Sequence, residues 1–106
     1  MNSEDINKLE SELLKNIKII RGKNVSAYKK NIARSNIEEG VETLTRRYIY
    51  RQALSSRDEL ARKIYKVMYN IEAELLLYLD TKQGILDEKI TRVHHRITLF
   101  LEKKMP

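Results

Sequence analysis

The stretch SRDELARKIYKVMYNIEAELLLYL, Ser56 to Leu79, decides the fold. Leu60, Ile64, Val67, Met68, Ile71, Leu75, Tyr78 and Leu79 recur at helical spacing and make one apolar stripe. Ser56 and Glu59 have the spacing of a capping box, in which the serine oxygen and the glutamate satisfy the first free N–H groups. Tyr65, Tyr69 and Leu76 fall outside the stripe and form a second, softer apolar face. A helix wet along one whole side has no use for such a face. This helix is therefore expected either to be central in a bundle or to meet a second copy of the chain or a partner helix through Tyr65, Tyr69 and Leu76.

The flanking segments repeat the helical pattern. Ile6, Leu9, Leu13, Ile17 and Ile20, widened by Leu14, predict a helix over 3–21. Gly22 should end it in the left-handed conformation that suits glycine. Leu86, Ile90, Val93, Ile97, Phe100 and Leu101 predict a last helix over 85–104, entered from a turn closed by Gly84. Asp87 and Glu88 sit early in it and Lys103 and Lys104 late, as the helix dipole favours.

The second helix, over 25–53, is harder to read. Val25, Tyr28 and Ile32 share one face, whereas Ile37, Val41, Leu44 and Tyr48 share another, roughly 150° around a straight helix. Ser35 and Glu38 repeat the capping-box spacing, so a bend or break near residue 35 is expected. The fold class is all-α: a single domain over 1–106, built as a compact up-and-down bundle of four helices, or five if the second breaks. Proline occurs once and glycine three times, so little interrupts helix formation.

Composition excludes several functions. Cysteine is absent, which removes disulfides, thiolate metal sites and a cysteine nucleophile. The N-terminus is polar and acidic, unlike a secretory leader, and no apolar run approaches the roughly 18 residues of a membrane span. A cytoplasmic or nucleoid-associated protein is expected. His94 and His95, the only histidines, are adjacent and point about 100° apart on a helix, so they cannot share one metal. No phosphate loop, nucleophile elbow or other catalytic constellation is present, so neither enzyme activity nor a cofactor is expected. His94, Ile97, Phe100 and Leu101 have the spacing of the peptide motif that binds the sliding clamps of DNA replication. That resemblance covers eight positions, lacks the usual leading glutamine, and implies a last helix that can leave the core.

Charge is the remaining signal. With 21 basic and 15 acidic residues the chain carries a net +6, which favours polyanions as partners. No acid lies between Leu14 and Asn36, while Lys15, Lys18, Arg21, Lys23, Lys29, Lys30 and Arg34 do. Farther on, Arg46, Arg47 and Tyr50 point away from the apolar stripe and Arg51 lies at its edge, where arginine forks suit phosphates and a tyrosine ring can stack on a base. These eleven residues predict a small basic protein that binds DNA or RNA through the phosphate backbone without strong sequence readout. The other expectation is a helical protein–protein interaction module, acting as a homodimer or docking a partner through its exposed apolar helix face.

Overall fold

The computed structural model describes residues 3–54, 59–81, 84 and 86–103; the Ser56 cap and the side chain of Arg51 lie outside the described residues. Four helices follow one another: α1 (Ser3–Arg21), α2 (Ala27–Leu54), α3 (Glu59–Leu79) and α4 (Glu88–Lys103). Together they form an all-α four-helix bundle, as expected. No helix among the described residues is long and apolar enough to cross a membrane.

Side-chain pairs give the directions. Asn36 on α2 donates to Asn16 on α1, and Gly40 lies against Leu13, so these helices run antiparallel. Arg34 meets Asp87 and Tyr48 meets Phe100, so α2 and α4 run parallel. Arg21 pairs with Glu74 and Asn70 with Glu10, which sets α3 parallel to α1. The chain thus alternates up and down. Among the described residues both α2 and α3 touch every other helix, whereas α1 and α4 do not approach each other. Consequently α2 and α3 form the shared centre of the bundle, with α1 and α4 on opposite sides of that pair. The body is flattened, 44 × 25 × 16 Å.

The core stripe of α3 is as the spacing predicts: Ile64, Val67, Met68, Ile71, Leu75 and Tyr78 are buried. On α1, Ile6, Leu13, Ile17 and Ile20 are buried, but Leu14 is 39% exposed and does not widen the stripe.

In α2 the structure corrects the sequence reading. The helix runs unbroken through Ser35. Its buried residues are Lys30, Ala33, Ile37, Val41, Leu44 and Tyr48, one continuous row at steps of three and four. Tyr28 and Ile32, which appeared to define a second core face, are exposed at 74% and 44%. The row was hidden because its first two members are a lysine and an alanine. Lysine lays its methylene stem along apolar surface while the ammonium reaches outward. The hydroxyl of Ser26 accepts the Lys29 N–H and caps the start of the helix.

The left-handed conformation expected of Gly22 is also corrected, and Gly84 does not adopt it either, since no described glycine has positive φ. Gly22 closes α1 by donating to the Ile19 carbonyl, a tight last turn. Gly84 is needed for space instead. A Cβ there would run into the backbone carbonyl of Tyr78. Without one, the connection folds over the end of α3 and delivers Asp87 to the N-terminus of α4. Leu86, placed in the apolar stripe by its spacing, precedes the helix and is 83% exposed.

Candidate functional site

The predicted cations are not all available. Lys30 is buried. Arg34 turns toward α4 and places its Nε 2.5 Å from the Asp87 carboxylate. The same carboxylate oxygen accepts the Tyr78 hydroxyl at 2.6 Å, and its other oxygen accepts the Ile90 N–H at 3.1 Å. Burial pushes the Asp87 carboxyl up, but hydrogen bonds from Tyr78, Arg34 and Ile90 and the Arg34 charge outweigh it, holding the group below its ordinary value. Burial and the bond to Asp87 push the Tyr78 phenol up. Arg34 is thus a strut between α2 and α4. Asp87 was legible as an acid early in α4; its role as the N-cap was missed, although aspartate just before a helix signals one.

The remaining cations divide into two groups. Lys15, Lys18, Lys23 and Lys29 are exposed near the α1–α2 connection and have no ion-pair partner among the described residues. Arg21 beside them faces Glu74 at 3.4 Å. Arg46 and Arg47 are exposed far along α2, about 25 Å from Lys29 at 1.5 Å rise per residue. Arg46 lies 3.8 Å from Glu42. It groups with Arg96 and Lys103 of α4 along the rim of a cleft of about 410 Å³. Tyr48, Ile49, Leu99 and Phe100 give that cleft its apolar lining, the Tyr48 and Phe100 rings meeting edge to face at 4.9 Å. Tyr50 is 64% exposed. The two basic stretches therefore occupy different parts of the surface.

The second face of α3 is real but differs in membership. Tyr65 packs against the core margin. Tyr69, Leu76 and Leu77 are exposed at 59%, 46% and 56%, with Ala73 exposed between them. This face points away from the other three helices. Arg21 and Asn70 mark the side where α1 lies; the Thr98 hydroxyl, donating to Glu72, marks the α4 side. Ala73 and Leu77 were missed in the sequence because alanine carries little apolar weight and Leu77 sits in a run of leucines.

His94 packs with its Nε2 buried and without a hydrogen-bond partner among the described residues. No group of acids and histidines among the described residues could hold a metal ion. Ile97 is fully buried, so the residues resembling a clamp-binding peptide serve the core here. The chain matches no family model, no curated protein and no solved structure.

Proposed function

We propose that this chain is a helical interaction module that docks a partner through the outer face of α3. The carrying observation is the solvent-facing row of Tyr69, Ala73, Leu76 and Leu77 on the helix that organises the core. Single exposed apolar residues are ordinary on protein surfaces, but a contiguous helical row is the mark of a docking face. The rest of α3 is anchored on three sides, so the face is presented rigidly and little ordering cost accompanies binding. Replacing Tyr69 with a photo-crosslinking phenylalanine analogue in the native cell tests the reading. Tyr28, more open still but on α2, is the control position. Adducts should form from position 69 and not from 28. No adduct at 69, or equal adducts at both, would refute it.

The second reading is nucleic-acid binding. It is supported by Lys15, Lys18, Lys23 and Lys29 near one end of the bundle, exposed and without an ion-pair partner among the described residues. The division of the cations weakens it, because phosphate affinity grows with the number of contacts made at once, about 0.9 in salt slope for each. Anisotropy titrations of a labelled oligonucleotide across salt concentrations decide it. Binding that falls steeply with salt, and that Lys23→Glu with Lys29→Glu removes, is the expected result; absent or salt-independent binding rejects it.

A further inference from the structure

Lys66, Tyr69, Ala73, Leu76 and Asp80 recur along α3 at steps of three, four, three and four, which is the spacing of a two-helix seam. All five are exposed. Neither Lys66 nor Asp80 has an ion-pair partner among the described residues. Asp80 still follows the helical spiral, its N–H donating to the Leu76 carbonyl at 3.0 Å. Ala73, the smallest residue of the row, stands at its midpoint, with Lys66 one heptad before it and Asp80 one heptad after.

We infer that the partner of this face is a second copy of the chain, its α3 packed antiparallel across a two-fold axis at Ala73. The inference rests on the docking face proposed above. An axis through Ala73 brings each residue opposite the one equally far on the other side. Lys66 then faces Asp80 of the partner subunit, twice over by symmetry, Tyr69 faces Leu77 of the partner subunit, and Leu76 at the margin faces Asn70 of the partner subunit. The apolar centre is closed at each end by opposite charges. A parallel pairing would set lysine against lysine and aspartate against aspartate, so charge selects the antiparallel arrangement. The small side chain at the crossing lets the helix axes approach toward the short end of the usual 8–10 Å range. Self-complementarity of this kind is what an isologous interface requires, and an unrelated partner helix would not need it.

The seam joins one helix to one helix, so the area is modest and the dissociation constant should be on the order of 10 µM. Sedimentation equilibrium of the purified chain measures it. The expected result is a reversible dimer at twice the 12.6 kDa chain mass. Lys66→Asp and Asp80→Lys should each weaken it at least about tenfold, since each places like charges together. The double variant, and an equimolar mixture of the two single variants, should regain it. Circular dichroism of each variant verifies that the helices persist. A monomer well above that concentration overturns the inference, as does a dimer indifferent to both reversals. The crosslink at position 69 separates this failure from failure of the docking face. An adduct of another mass on a monomeric chain removes the self-pairing and leaves the module; no adduct removes both.

Discussion

The Arg34 guanidinium and the Asp87 carboxylate, 53 residues apart in the chain, meet at 2.5 Å. The Asp87 side chain is 3% exposed and that of Arg34 22%. A buried pair of this kind adds little over an apolar substitute, but losing one partner strands the other. Asp87→Asn should therefore cost about 3–5 kcal/mol in urea unfolding, with Arg34 left uncompensated and the cap of α4 weakened. Tyr78→Phe, which removes one donor and keeps the ring, should cost about 1–3 kcal/mol. Equal losses from the two variants would contradict a carboxylate at the centre of the cluster.

The same cluster bounds the pH range of full stability. The Asp87 carboxyl titrates below its ordinary value when folded, so its contribution is complete above the unfolded value of 3.8. Between the two values the unfolded chain holds more protons, and stability falls as pH drops. Tyr78 titrates above 10.0 when folded, so its contribution is complete below that pH and lost as pH rises through the folded value. Urea midpoints measured across pH should decline at both ends. In Asp87→Asn this cluster's share of the acid decline should disappear.

Gly40 lets α1 approach α2. A Cβ there would stand 2.6 Å from Cδ2 and 3.1 Å from Cγ of Leu13, which is itself buried. Gly40→Ala gains about 1 kcal/mol of helix propensity and spends a similar amount displacing Leu13, so its net effect should be small. Gly40→Leu should cost about 1–3 kcal/mol by overpacking. In a Leu13→Ala background that cost should shrink, because the new side chain enters the vacated space. Additive losses in the double variant would show that the two sites do not compete for volume.

His94 offers a gain of stability. Its Nε2 is buried with no hydrogen-bond partner among the described residues. An unmet polar atom costs more than an apolar one of similar shape. His94→Leu should raise stability by about 1 kcal/mol in urea unfolding, and a loss would mean that the ring nitrogen is satisfied.

The helices were legible in the sequence because each must bury one stripe, and a period near 3.6 residues records that demand locally. α1, α3 and α4 bury the stripes that the apolar spacing marks, except that Leu14 stays exposed and Leu86 precedes α4. α2 misled because the pattern weighs Tyr28 and Ile32 above Lys30 and Ala33, although neighbouring helices, and not hydrophobicity alone, choose which side is covered. The charges were equally visible as residue types. Which of them stay free was not, because pairing depends on elements distant along the chain: Arg34 is taken by Asp87 and Arg21 by Glu74. The same holds for the outer face of α3. Its residues stand in the primary order, but only the packing of α1, α2 and α4 around the other sides of that helix leaves it uncovered. Local periodicity sets what each segment becomes; the geometry of non-local contact decides which of its faces meets water.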